Sequence, residues 1–117
     1  MNTTTLVHDK KKDNRTVHYP VKNGIEITAE DLSELLENHI TVIIFIKDGE
    51  WTPAIHAPIP SGYELAKVIT INNVTSASTP PVELHVNGET ILIGPNKGGF
   101  LFAYSKDDKW EIHGLDS

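Results

Sequence analysis

"VELHVNGETILIG", residues 82–94, is the stretch that decides the fold class. Val82, Leu84 and Val86 alternate with Glu83 and His85, the period of two that a strand shows when one face lies on a core. Asn87 and Gly88 follow directly, and this dipeptide tolerates the positive φ angles that a two-residue hairpin turn requires. The return run "ETILI" completes an antiparallel hairpin with Gly88 as its turn glycine.

Outward from this hairpin the same grammar repeats. "PNKGG" is a turn by composition, and "FLFAYS" is a strand with Phe100, Phe102 and Tyr104 on one face. "KDDK" turns again, and "WEIHG" closes the chain with Trp110 opening the last strand. Aromatic pairs across such a turn add about 0.2–1 kcal/mol each, so sheet or core stabilisation is their first explanation. Toward the N-terminus, "ELAKVITINNV" is a strand and "TSASTPP" a loop. "WTPAIHAPIPSG" carries three prolines in eight residues, which confines it to an edge strand or a crossing loop. "ITVIIFI", residues 40–46, is apolar on both faces, so cover on both sides is expected, by the helix or by another subunit. Asp48-Gly49 then forms a hairpin turn, with Gly49 at positive φ.

One segment has helical spacing. Leu32, Leu35, Leu36 and Ile40 line one stripe, Thr28 is placed to cap it, and Asp31 stands in the capping-box position. A short amphipathic helix over residues 29–39 is predicted, too short to stand without packing on a sheet. "GIEIT", just before it, is a short strand. No βαβ alternation and no repeat is visible. Seven or eight short strands at roughly ten-residue spacing give a mainly β fold: an antiparallel, jelly-roll-like β-sandwich with one short N-terminal helix.

The 117 residues make one domain, and without cysteine there is no disulfide, thiolate metal site or thiol nucleophile. No apolar run approaches the roughly 18 residues of a membrane span, and "MNTTTLVHDKKKDNR" lacks the apolar core of a secretion signal. Charge is uneven. Residues 1–22 hold five cations, among them Lys10, Lys11, Lys12 and Arg15, against two acids, a net of +3. Residues 23–117 hold five against fourteen, a net of −9. An extended basic arm (1–22) before an acidic body (23–117) is expected, the arm anchoring on an acidic surface such as a neighbouring copy. Phosphate repels such a body, so nucleic acid is not an expected partner.

Catalytic signatures are missing at the level of spacing. The six histidines show no strand or helix chelate spacing, although "ELH" and "EIH" place Glu83 with His85 and Glu111 with His113 on common strand faces. His85 and His113 could meet across strands, which makes a small metal protein or enzyme one alternative. No metal, cofactor or catalytic residue is expected. Ser61, Ser76 and Ser78 sit in loops without a base, and "GPNKGG" lacks the spacing of a phosphate loop. Trp51, Tyr63, Tyr104 and Trp110 are the aromatics that suit an interface or a sugar platform.

"VNGETILIGPNKGGFLFAYSKDDKWEI" resembles the closing strands of small β-domains in tailed-bacteriophage fibres, spikes and capsid- or tail-decorating proteins. The positions that carry the likeness are Gly98, Gly99, Tyr104, the turn 106–109 and Trp110. The resemblance implies a non-enzymatic virion structural protein, assembled in the host cytoplasm and commonly trimeric. It would anchor by one end and bind itself, other virion proteins or a cell-surface glycan. A carbohydrate- or receptor-binding module is the other alternative.

Overall fold

The computed structural model describes residues 15–61, 63–104 and 107–115. In chain order the elements are β1 (Thr16–His18), α1 (Ala29–Asn38), β2 (Thr41–Ile46), β3 (Ala54–His56), β4 (Lys67–Asn73), β5 (Val82–Val86), β6 (Glu89–Ile93), β7 (Lys97–Ala103) and β8 (Glu111–His113). They form a five-stranded sheet of order β1-β2-β4-β7-β8 and a three-stranded sheet of order β3-β5-β6.

Alternation builds the layers. In the large sheet Val42, Ile44 and Ile46 of β2, Ile69 and Ile71 of β4, and Leu101 and Ala103 of β7 point to one side and are buried. Facing them are Leu32 and Leu36 of α1 and, from the small sheet, Ile55, Val82, Leu84 and Ile93. Two polar side chains on the same inner face show what covers it. Lys67 Nζ donates to the carbonyls of Leu36 and His39 at the end of α1, at 2.5 and 2.8 Å. Asn73 Nδ2 donates to the Ile93 carbonyl of β6 at 3.0 Å. Helix and small sheet therefore lie side by side over a single face of the large sheet. Each fully buried aliphatic side chain there contributes about 1.5–3 kcal/mol.

The mainly β sandwich with one helix is the fold that forms. Within it, pairing is mixed where an antiparallel, jelly-roll-like order was expected. β1 and β4 both run parallel to β2, and β3 runs parallel to β5. The helix is not N-terminal but joins β1 to β2, so a βαβ unit exists that the sequence concealed. β1 has only three residues, too few to display a period, and its partner strand fixes it. Tyr19 N–H donates to the Ile43 carbonyl at 2.8 Å, and the Arg15 carbonyl accepts from Ile40 and Thr41, both at 2.9 Å. The expected arm of 1–22 thus stops short of residue 22: from Arg15 onward the chain belongs to the sheet, with Val17, Tyr19 and Val21 packed on the core.

Smaller corrections follow from the same packing. "GIEIT" contributes only a bridge, Ile27 to Ile55. Asp48-Gly49 turns as expected, with Gly49 at φ 87° and Lys47 bridged to Glu50, but the chain then leaves for the other sheet. Thr28 caps α1 by accepting from Asp31 N–H at 3.1 Å, whereas the Asp31 carboxylate accepts from the Tyr19 hydroxyl at 2.9 Å, so the capping box is half-made. The β5–β6 hairpin is as predicted, with Asn87 and Gly88 at φ 54° and 78°. Among the described residues every buried side-chain nitrogen and oxygen has a hydrogen-bond partner.

Candidate functional site

The other face of the large sheet has no second layer among the described residues. Register arranges its side chains in rows across the strands. One row runs Thr16, Thr41, Val68, Phe102, Glu111, and the next His18, Ile43, Thr70, Phe100, His113. A shorter row holds Phe45, Asn72 and Gly98. The three inner strands thus offer Thr41, Ile43, Phe45, Val68, Thr70, Asn72, Gly98, Phe100 and Phe102, none of them charged. Phe45 is 46% exposed and Phe100 40%. His113 stacks on Phe100 with ring centroids 4.7 Å apart, and Tyr104 stands edge-on to Phe102 at 4.6 Å. Register thus sets Ile43, Phe45, Val68, Phe100 and Phe102 on one outer face, partly or substantially exposed, and β-branched and aromatic residues fit there because they pack along a pleated surface. Among the described residues "ITVIIFI" is covered on one face, by α1 and the small sheet, and its Ile43 and Phe45 face lies on the outer side of the sheet.

The small sheet carries a polar group on its outer face. Strand register sets His56 beside His85, and their rings stack at 4.6 Å with 6° between planes. His56 Nε2 lies 2.7 Å from Glu26 Oε1, and His85 Nε2 lies 3.1 Å from Glu83 Oε1. Thr90 Oγ1 is 3.2 Å from His85 Nδ1. A cleft of about 410 Å³ opens beside the pair. The "EIH" pair is made in the same way, with His113 Nε2 3.2 Å from Glu111 Oε1. His85 and His113 belong to different sheets, so the cross-strand meeting on which the metal-protein alternative depended does not form. Among the described residues no three histidine, aspartate or glutamate side chains converge as a metal-binding set, and no helix is long and apolar enough to cross a membrane.

The four aromatics suited to an interface or a sugar platform do not share one surface, although Tyr63 and Trp110 are neighbours. Trp110 is 3% exposed, and its indole N–H donates to the Pro58 carbonyl at 2.6 Å. Tyr63, half-buried, lies 6.3 Å from it and under Lys67 Nζ. Burial first, and the Glu37 charge second, push the Tyr63 phenol above its ordinary value. Trp51 is half-buried, with its indole N–H on the Pro80 carbonyl at 3.2 Å. Tyr104 alone is exposed, on the open face. Of the expected anchoring cations, Arg15 is exposed beside β1, and Lys10, Lys11 and Lys12 lie outside the described residues.

Phe45, Phe100 and Phe102, rather than the tryptophans, make the apolar surface. Their signal was present as strand alternation. What could not be read was which of the two apolar faces of β2 would be covered. His56 was hidden because its partner stands 29 residues away.

No family model matches the sequence, and no curated protein does. Among solved structures, the chain is similar to the crystal structure of StcE(132–251) from enterohemorrhagic E. coli. The TM-score is 0.58 at 16% identity, over 82% of this chain and 92% of that one. That likeness shows a shared fold and no more.

Proposed function

We propose that this chain is a non-enzymatic β-sandwich interaction module that docks through the open face of its five-stranded sheet. The observation that carries this reading is the uncharged set of nine outward positions on β2, β4 and β7, eight side chains and Gly98, with Phe45 and Phe100 standing out of it. Apolar surface gains about 25 cal/mol per Å² when covered, and continuous exposed patches mark interaction surfaces. α1 and the small sheet pack on the inner face, so the strands that present the outer face are held by the core.

A virion structural role, as a decoration or tail-fibre component in a trimer, is a narrower form of this reading. Its support is the resemblance of residues 82–114 alone. Glycan binding has less support, because its four aromatics do not share one surface.

The test is binding of the neutral apolar dye Nile red to the folded chain at low-micromolar concentration. Dye emission should rise and shift to the blue, and the double variant Phe45→Ser/Phe100→Ser should abolish most of that change while keeping a cooperative melt. Equal dye binding by the variant, or none by the native chain, would remove the open face as a docking surface.

A further inference from the structure

We infer that Asn23 is a site of spontaneous deamidation in the folded chain, while Asn87, the other asparagine that precedes a glycine, is kept intact by the fold.

The chemistry starts in the sequence. Asn23-Gly24 and Asn87-Gly88 are the two places where glycine follows asparagine. Glycine has no Cβ, so its backbone nitrogen can approach the preceding side chain closely. That nitrogen gives up its proton to solvent and bonds to the asparagine Cγ. The Cγ–Nδ2 bond breaks and ammonia leaves, closing a succinimide ring. Water then opens the ring at Cγ, giving aspartate, or at the main-chain carbonyl, giving isoaspartate. The step takes only water and releases only ammonia. After every other asparagine the next residue carries a side chain that hinders the approach.

The structure separates the two sites. Each dipeptide satisfies both the backbone N–H and the backbone carbonyl of a tryptophan. At Asn87 one amide does both. Nδ2, the leaving nitrogen, donates to the Trp110 carbonyl, and Oδ1 accepts from the Trp110 N–H. Asn87 is half-buried and Trp110 is buried. Its Cγ cannot turn onto the Gly88 nitrogen unless both bonds open together. At Asn23 the two bonds are divided between the residues. Asn23 Oδ1 accepts from the Trp51 N–H at 3.1 Å, and the Gly24 N–H donates to the Trp51 carbonyl at 2.7 Å. Asn23 and Gly24 are both exposed and lie outside every helix and strand. Opening there is local, and water takes up the freed groups.

The product also fits the two sites differently. Aspartate at position 23 keeps the oxygen that accepts from Trp51. Aspartate at position 87 puts a carboxylate oxygen where Nδ2 donated, so two acceptors face each other with no proton between them. Conversion at 87 breaks the tie to Trp110, whereas conversion at 23 adds a negative charge and leaves the fold standing.

The experiment is prolonged incubation of the chain at mildly alkaline pH, folded and in urea, followed by digestion and mass spectrometry of the peptides that hold residues 23 and 87. In urea the two sites should react at similar rates. In the folded chain Asn23 should convert at least about tenfold faster than Asn87, because two hydrogen bonds must open at once to release the latter. Asn23→Asp and Asn87→Asp stand for the two products. The first should melt with the native chain and the second at a lower temperature. Equal rates in the folded chain, faster conversion at 87, or no conversion at 23 while the chain in urea reacts, overturns the inference. An Asn87→Asp chain as stable as the native one would show that the bonds to Trp110 are not what guards Asn87.

Discussion

Asn87 and Trp110 exchange two hydrogen bonds. Asn87 Nδ2 donates to the Trp110 carbonyl at 2.8 Å, and the Trp110 N–H donates to Asn87 Oδ1 at 2.9 Å. One amide side chain thus stands in for a strand, tying the β5–β6 turn of the small sheet to the residue that leads into β8 of the large one. The same residue holds a positive φ, so it serves the turn and the clamp together.

The two roles separate by substitution. Asn87→Gly keeps the turn conformation and deletes both bonds, leaving two partly buried backbone groups of Trp110 without partners. Unmet groups of this kind cost about 1–3 kcal/mol. Urea unfolding followed by tryptophan fluorescence should show a loss in that range. A loss under a few tenths would mean that water replaces the clamp.

Lys67 is the C-terminal cation of α1, supplied from another element. The last helical turn has no basic residue of its own, and the ammonium fills the place where free carbonyls and the negative end of the helix dipole collect. Burial holds the Lys67 pKa below its ordinary value, yet its hydrogen bonds require the amine to stay. Lys67→Met preserves the stem and removes both bonds. A loss of about 1–3 kcal/mol is expected, with faster amide exchange in residues 35–38 than elsewhere. Unchanged exchange there would show that α1 ends without help.

Tyr19 ties the edge strand to the helix start, and pH should reveal it. Burial first, then the hydrogen bond to Asp31 and the Asp31 charge, push the phenol from 10 up to about 12. A raised folded pKa means that the folded chain keeps a proton the unfolded chain has released. The stability this contributes is whole below pH 10 and is lost as pH rises through about 12. The stability difference between the native chain and Tyr19→Phe should therefore be constant from pH 7 to 9 and shrink above 10. A difference that grows above pH 10 would contradict the tie.

Local chemistry was legible wherever a neighbour in sequence enforced it. The Asn87-Gly88 turn, the Thr28 cap, the alternation of Val82, Leu84 and Val86, and the stripe of Leu32 and Leu36 are all short-range consequences of backbone sterics and side-chain period. They were enough for the fold class. Partners distant in sequence were not legible. β1 is three residues long and has no pattern of its own, so only the backbone of β2 could reveal it, and with it the parallel β1–β2 pairing. His56 meets His85, and Asn87 meets Trp110, because the strands carrying them are brought together by packing that no local spacing records.

The sequence by itself determined that β2 is apolar on both faces, since Val42 to Ile46 is β-branched or aromatic throughout. Only the tertiary structure decided that one face is core and the other is surface. A single helix and a three-stranded sheet supply enough apolar area to cover one side of five strands, and within the described residues they leave Ile43, Phe45, Phe100 and Phe102 on the other.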